Sequence, residues 1–313
     1  MNFVVSAAPH LRSKDSTTSI MRDVIIALLP TTFVGLYFFG YRAGILVAVS
    51  IISAVLAEYI WQRLAKKPVT IHDLSAAVTG LLLALNLPST APWWAAVIGS
   101  VTAIILVKQL FGGIGGNFLN PALTARAILV VSFGPLVSNF VSTNYSSSLG
   151  FMSVDALTVA TPIVEPGSYS TMQLLFGNIP GCIGEVSKVA ILLGFAYLLI
   201  RRVVKWNIPI IFVGTAVICG YLFSGLSANP LGYVLSGGLL FGAIFMATDY
   251  TTNPMTFLGE VIFAIGCGVI VAVIRQFSSN HEGVTYGILI MNIATPLIDK
   301  YIKPKVYGGK AHA

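Results

Sequence analysis

Long apolar runs separated by short polar connections dominate the sequence. A helix needs about 20 predominantly apolar residues to cross the hydrocarbon core of a bilayer. The best candidate spans are 23–40, 43–62, 93–111, 118–134, 184–201, 208–224 and 257–276. Three further candidates are shorter or interrupted, namely 74–88, 232–247 and 283–298. The pattern predicts an all-α polytopic membrane protein with about ten transmembrane helices.

One long connection, 135–183, divides these spans into five and five. We therefore expect three parts. Residues 1–134 hold an N-terminal tail and five spans, and 135–183 form a loop outside the membrane. Residues 184–313 hold five more spans and a C-terminal tail.

The two halves resemble each other in sequence. "TGLLLALNLPSTAPWW" (79–94) aligns with "FGAIFMATDYTTNPMT" (241–256) at an offset of 162, which matches Gly80 with Gly242. Because five spans separate the copies, the two repeats would have opposite orientations in the membrane. In such folds the interrupted spans, here 74–88 and 232–247, are discontinuous helices that form the central site.

Composition agrees with a membrane protein, since 56% of the 313 residues are hydrophobic and 9% are charged. Soluble proteins contain roughly 25% charged residues. The net charge of +7 is better explained by orientation in a bilayer than by nucleic acid, because no basic patch with interleaved aromatic residues is present. The three cysteines are far apart, so we expect neither a structural metal nor an iron–sulfur cluster in this chain.

The basic residues predict the orientation. If the N-terminus is cytoplasmic and the chain alternates through ten spans, fourteen basic residues fall on the cytoplasmic side and two, Arg42 and Arg275, on the outer side. The fourteen are Arg12, Lys14, Arg22, Arg63, Lys66, Lys67, Lys108, Arg201, Arg202, Lys205, Lys300, Lys303, Lys305 and Lys310. Both termini are therefore expected in the cytoplasm, and the 135–183 loop outside.

Two polar groups are expected at the cytoplasmic ends of the spans. In "FGGIGGNFLNPALTAR" (111–126), Asn117 and Asn120 have the spacing of residues on one helical face, although a turn with an Asn cap has the same pattern. In "TDYTTNP" (248–254), Asp249 and Asn253 follow the interrupted span. A carboxylate near threonine hydroxyls suits a small hard cation, whereas an acid at a span end can also be simply solvated.

Several blocks of the chain resemble one family. "SGGLLFGAIFMATDYTTNP", "GGIGGNFLNPAL", "GNIPGCIGEVSKVAILLG" and "PLIDKYIKPKVYG" are similar, in this order, to blocks of the D subunit of the Rnf ion-translocating electron-transport complex. The B subunit of sodium-pumping NADH:quinone reductase shares the pattern more loosely. The resemblance implies a prokaryotic inner-membrane subunit that relays electrons coupled to Na⁺ or H⁺ translocation. Its partners would include iron–sulfur and flavin subunits.

The resemblance also implies two flavins. In this family a threonine of the outer loop carries FMN through a phosphoester, and "DALTVAT" (155–161) matches that motif. Thr161 would be the attachment residue, with Asp155, Thr158 and Ala160 as its recognition context. A second, noncovalent flavin, riboflavin by resemblance, is expected at Asn117, Asn120, Asp249 and Asn253.

Two other functions fit the same sequence pattern. A channel or secondary transporter for a small solute can also be built from inverted repeats, because fold alone does not decide function. A structural assembly subunit is the third possibility. Both predict that no flavin is bound.

Overall fold

The computed structural model describes residues 16–140, 169–224, 230–278 and 283–303, and all regular elements in these ranges are helical. The α-helices are α1 (Thr17–Leu64), α2 (Ser75–Leu85), α3 (Trp93–Thr102), α4 (Pro121–Val137), α5 (Thr171–Phe176), α6 (Lys188–Ile200), α7 (Asn207–Phe223), α8 (Pro230–Leu235), α9 (Leu239–Phe241), α10 (Phe257–Phe277) and α11 (Gly283–Tyr301). Two π-helical segments continue α3 and α9, namely Ala103–Gln109 and Gly242–Met246.

Helix starts follow local capping chemistry. The side chains of Asn120, Ser187 and Thr256 each accept a hydrogen bond from a backbone N–H in the first turn of the helix that follows. Such caps satisfy donors that a helix leaves unpaired at its N-terminus. The caps explain why α4 and α6 begin slightly later than the apolar runs predict.

Gly40 divides α1 into two helical segments. Its φ of 66° and ψ of −152° are not helical, and glycine adopts positive φ without steric cost. The two candidate spans predicted in this region, 23–40 and 43–62, therefore lie on either side of a real break in the helix.

Length and composition mark α1 and α10 as helices that can cross a membrane. Within the described ranges, α2, α3 with its π-helical continuation, α4, α6 and α7 are apolar but shorter. Large apolar side chains are exposed on several of these helices, for example Val131 at 78% and Ile218 at 62%. Contiguous exposed apolar surface is rare on soluble monomers. The helical content and this surface are those of a membrane protein.

In the first half of the chain, the segment 41–64 of α1 packs against α2 and α3. The Ser50 hydroxyl donates to the Gly80 carbonyl over 2.7 Å and lies 2.9 Å from the Ser100 hydroxyl. A Cβ atom at Gly80 would lie 2.7 Å from the Ser50 carbonyl oxygen, so glycine allows this close approach. α3 in turn contacts α4.

In the second half, α7 packs against α10 and α10 packs against α11. Two further contacts join the halves: α1 packs on α6, and α4 packs on α11. The first of these is close, because a Cβ atom at Gly194 would lie 2.2 Å from the Ala27 carbonyl oxygen.

The two interrupted regions meet in the interior. The backbone N–H groups of Gly184 and Ile183 donate to the carbonyls of Leu85 and Leu87 over 2.8 and 3.0 Å. The Asn86 amide lies 3.3 Å from the Met246 sulfur. The end of α2 is thereby joined to the segment before α6 and to the π-helical segment after α9.

Candidate functional site

A cavity lies between α2, the start of α4 and the segment 244–251. Its enclosed volume is about 100 Å³, and the cavity is partly open to its surroundings. Small-molecule sites commonly have mostly apolar walls with a few polar groups. The walls here include Val24, Leu82 and Phe245, and the polar lining consists of Ser75, Thr79, Lys108, Asn117, Asn120, Thr248, Asp249, Tyr250 and Thr251.

Asn120 joins the two sides of the cavity. Its Oδ1 accepts from the backbone N–H groups of Ala122 and Leu123 over 3.1 and 3.2 Å, which caps α4. Its Nδ2 donates to the Met246 carbonyl over 3.2 Å, and the residue is 3% exposed. Because both amide atoms are used within the protein, Asn120 holds the cavity together.

Asn117 lies before α4, so the prediction that Asn117 and Asn120 share a helical face is wrong. The four-glycine turn that precedes α4 is not helical at these positions. Asn117 nevertheless lines the same cavity, because its Nδ2 donates to the Leu119 carbonyl and to the Thr251 hydroxyl, each over 3.1 Å. Within the described part of the chain, its Oδ1 has no hydrogen-bond donor.

A short hydrogen-bonded chain leads from Asn117 to Asp249. The Thr251 hydroxyl, which accepts from Asn117, lies 3.0 Å from both carboxylate oxygens of Asp249. The Thr251 N–H also donates to Asp249 Oδ1 over 3.2 Å. The two residues that the sequence assigns to one cytoplasmic site are therefore connected through Thr251.

The surroundings of Asp249 disfavour its charge. Although part of the residue is exposed to the cavity, burial raises the pKa of Asp249 above the ordinary aspartate value, while the hydrogen bonds from Thr251 lower the pKa. Burial is the larger effect. A cation in the cavity would favour the ionised carboxylate.

Asn253 and the flavin motif stand apart from this cavity. Asn253 does not line it, and its buried Oδ1 has no partner within the described ranges. Thr161, Asp155, Thr158 and Ala160 lie outside the described residues, so their predicted roles remain predictions.

The cavity wall contains a buried charged residue, Lys108, that the sequence pattern does not identify as part of the site. Lys108 counts as a cytoplasmic charge by its position, but the residue is 3% exposed and its Nζ lies 2.7 Å from Glu58 Oε1. Glu58 itself is 0% exposed. The available signal is an acid within the apolar run 43–62, because an ionisable residue inside a span needs a partner.

Two other buried cations bind carbonyl groups around the break between α8 and α9. Lys188 Nζ donates to the Glu185 carbonyl and, over 3.1 Å, to the Gly237 carbonyl. The Arg275 guanidinium donates to the carbonyls of Tyr233 and Ser236, each over 3.1 Å. These donors satisfy carbonyl groups that the break between α8 and α9 leaves without helical partners.

Comparison with known proteins gives consistent matches. The model of the NQR2, RnfD, RnfE family matches residues 4–308. The D subunit of a Na⁺-translocating ferredoxin:NAD⁺ oxidoreductase complex from Acetobacterium woodii is 47% identical over 98% of this chain and 96% of its own length. The D subunit of a proton-translocating ferredoxin:NAD⁺ oxidoreductase complex from Clostridium ljungdahlii is 38% identical over the same shares.

A more distant relative has the same extent. The D subunit of an ion-translocating oxidoreductase complex from Halorhodospira halophila is 36% identical, over 96% of this chain and 94% of the relative. These matches confirm the resemblance that the sequence blocks indicate, over nearly the whole chain.

Proposed function

We propose a function that starts from the family, because this chain belongs to the NQR2, RnfD, RnfE family. The chain is the D subunit of an Rnf-type ion-translocating ferredoxin:NAD⁺ oxidoreductase complex, and so part of an enzyme. It is an integral protein of the prokaryotic cytoplasmic membrane, and its partners are the other subunits of the complex, including iron–sulfur and flavin subunits. The full-length match to relatives with this name supports the assignment.

Within the complex, the chain relays electrons through the membrane and couples them to cation movement. The relatives do not determine the ion, since one is named for Na⁺ and another for protons. The cation is Na⁺ or H⁺ in this proposal.

In this proposal, the Thr161 side chain carries FMN covalently. The support is the string "DALTVAT", with Asp155, Thr158 and Ala160 around the hydroxyl that would form the phosphoester. The loop 135–183 has neither Lys nor Arg, which favours its position outside the membrane.

A second, noncovalent flavin, riboflavin, is placed in the cavity. When bound, a flavin supplies the capacity to accept and pass on electrons. The lining would suit such a ligand: the walls are mostly apolar, and the Asn117 Oδ1 would be available to accept a hydrogen bond from it. Asn120 keeps the walls in place rather than contacting the ring, because its amide is already used.

We assign Asp249 to binding of the translocated cation. Its carboxylate lines the same cavity, so negative charge that arrives there with an electron increases the attraction for a cation. The hydrogen-bonded chain through Thr251 fixes the distance between the carboxylate and the Asn117 amide.

The membrane arrangement is two inverted repeats of five spans, with the interrupted segments at the centre. The packing supports it, because two of the helix contacts between the halves pair elements that occupy equivalent places in each half. α1 packs on α6, the first helices of the halves, and α4 packs on α11, the last ones. Such pairing is expected beside a pseudo-two-fold axis. Both termini are cytoplasmic in this arrangement.

The test is the presence of the covalent flavin. The chain should fluoresce in a gel after denaturation in SDS, and mass spectrometry of peptides from 135–183 should place FMN on Thr161. Thr161→Ala should abolish the fluorescence, whereas the matched variant Thr158→Ala should reduce loading and leave part of it. A full covalent signal in Thr161→Ala would show that the attachment residue is wrong.

The same experiment separates the other candidate functions. A channel, a secondary transporter or an assembly subunit predicts that the unaltered chain carries no flavin. Absence of both covalent and extractable flavin from the complex would therefore reject the proposed function.

A further inference from the structure

Four buried side chains form a hydrogen-bonded group at one wall of the cavity. Glu58 Oε1 accepts from Lys108 Nζ over 2.7 Å and from Gln109 Nε2 over 2.6 Å. Gln62 Nε2 lies farther from the same oxygen, at 3.5 Å. Each of these residues is less than 5% exposed, so the charges are held away from water.

The π-helical segment explains how two consecutive side chains reach one carboxylate oxygen. In an α-helix, adjacent side chains point about 100° apart. In Ala103–Gln109 the turn is wider, and the Leu110 N–H donates to the carbonyl five residues earlier, that of Ile105, over 3.0 Å. Segments of this kind occur often at functional sites. The wider turn directs both Lys108 and Gln109 to Glu58.

The Lys108–Glu58 ion pair has a defined orientation relative to the cavity. Lys108 lines the cavity together with Ser75, whose hydroxyl oxygen is 2.5 Å from Lys108 Nζ. Glu58 and Gln109 do not line it and lie behind Lys108. The positive end of the pair therefore faces the cavity, and the negative end faces the protein interior.

Stability alone is a weak reason to bury such a pair. Removing two charges from water is costly, and buried pairs can often be replaced by apolar side chains without loss of stability. In addition, Glu58 Oε2 is buried without a partner among the described residues, which adds a further cost. An ion pair with its positive end towards the cavity makes the electrostatic potential there more positive.

We propose that Lys108 is the fixed counter-charge of a redox ligand in this cavity, and that Glu58 and Gln109 hold Lys108 in place. This inference rests on the proposed function, in which the ligand is a flavin. Addition of an electron without a proton makes the ring more negative. The ammonium group of Lys108 stabilises that more negative form, and Glu58 offsets part of the effect.

The two charges must then have opposite effects on the reduction potential. Loss of the cation in Lys108→Gln makes the flavin harder to reduce, and loss of the anion in Glu58→Gln makes it easier to reduce. A purely structural ion pair predicts no such opposition of sign, because either loss would simply loosen the same wall.

The experiment uses the full chain purified in detergent, with Thr161→Ala as the background so that the remaining flavin is the noncovalent one. Flavin content is measured after extraction, and the potential is measured by redox titration of flavin absorbance. At a fixed ambient potential, the ratio of reduced to oxidised flavin should fall about tenfold in Lys108→Gln and rise about tenfold in Glu58→Gln, as expected for one charge about 12 Å away at an effective dielectric constant of about 20.

Two further variants complete the design. Lys108→Gln combined with Glu58→Gln should return the ratio to within about twofold of the reference, because both charges are gone. Lys205→Gln is the matched control: its Nζ is also 2.7 Å from a carboxylate, that of Glu260, but its side chain is 69% exposed and screened by water. It should leave the ratio unchanged.

Shifts in the same direction in both single variants, or unchanged ratios with flavin retained, would overturn the proposal. If the Lys108→Gln protein does not accumulate, the flavin ratio in Glu58→Gln still tests the proposal, because Lys108 keeps its contact with Ser75 in that variant. Absence of flavin from the reference chain would reject the cavity's proposed occupant, and the inference with it. That result is distinct from a flavin that binds and ignores Lys108.

Discussion

Asn120 allows a quantitative test of how the cavity is held together. The substitution Asn120→Ala removes the cap of α4 and the hydrogen bond to the Met246 carbonyl. Loss of an N-cap costs about 1 kcal/mol, and a buried carbonyl left without a donor costs about 1–3 kcal/mol. Both groups are buried, with Asn120 3% and Met246 1% exposed, so water replaces the bonds poorly. The sum is about 2–4 kcal/mol.

A second substitution separates the two effects. Asn120→Ser keeps a capping oxygen but is too short to reach the Met246 carbonyl, so it should lose about 1–3 kcal/mol and lie between the wild type and Asn120→Ala. Thr124→Val is the control in the same turn, since the Thr124 hydroxyl donates within its own helix, to the Asn120 carbonyl. It should change stability by less than about 0.5 kcal/mol.

The assay is thermal unfolding of the purified complex, followed by protein fluorescence, with extractable flavin measured in parallel. Asn120→Ala should lower the melting temperature by roughly 5–10 °C. Asn120→Leu should lose extractable flavin and keep covalent FMN, because the wall of the cavity moves. A wild-type melting temperature in Asn120→Ala would refute the energetic reasoning, and equal values for the Ala and Ser variants would refute the cap.

Three further predictions concern other parts of the molecule. Ser147→Cys should be labelled by an impermeant reagent from outside and Lys310→Cys from inside; labelling from the same side would contradict the topology. Asp249→Asn should weaken the cation dependence of electron transfer with both flavins retained. Because burial raises the pKa of Asp249, wild-type cation affinity should fall as pH decreases towards that raised value, whereas Asp249→Asn should show no such fall. Gly80→Ala should destabilise the chain by about 1–3 kcal/mol in thermal unfolding, while Gly214→Ala, with open space around its Cβ, should not; equal effects would refute the packing.

The apolar pattern predicts the positions of the helices because a helix that crosses a membrane must present apolar side chains to the lipid. Each candidate span coincides with a helical segment of the described chain, and the break between the first two falls at Gly40. Exact helix starts are not predictable from hydrophobicity, since they depend on caps such as Asn120 and Ser187.

The candidate site is predictable in composition but not in geometry. Asn117, Asn120 and Asp249 do line one cavity. The spacing of the two asparagines indicates a shared helical face, whereas the glycine-rich turn keeps Asn117 outside the helix. Asn253 is predicted from its neighbourhood in sequence, which does not determine the direction of a side chain in a non-helical segment.

Lys108 shows the limit of assigning charges by sequence position. A lysine near the end of an apolar run normally reaches water. Its burial here depends on Glu58, fifty residues earlier, and on a widened helical turn. The acid at position 58 signals that it needs a partner, but the sequence around Lys108 identifies neither that partner nor the widened turn.

The contact between the end of α2, the segment before α6 and α9 has a consequence for the leakage of ions across the membrane. We call this contact the seam. A protein complex that stores energy as an ion gradient loses that energy through any continuous file of water between the two aqueous phases. At the seam, a Cβ atom on Gly184 would lie 2.7 Å from the Leu85 Cβ and 3.1 Å from the Phe241 ring, which leaves no width for a water molecule there. Electrons can tunnel through such packed side chains, but hydrated ions cannot pass them. The tight contact of Gly184 with Leu85 and Phe241 therefore closes this point of the interior to water and to hydrated ions.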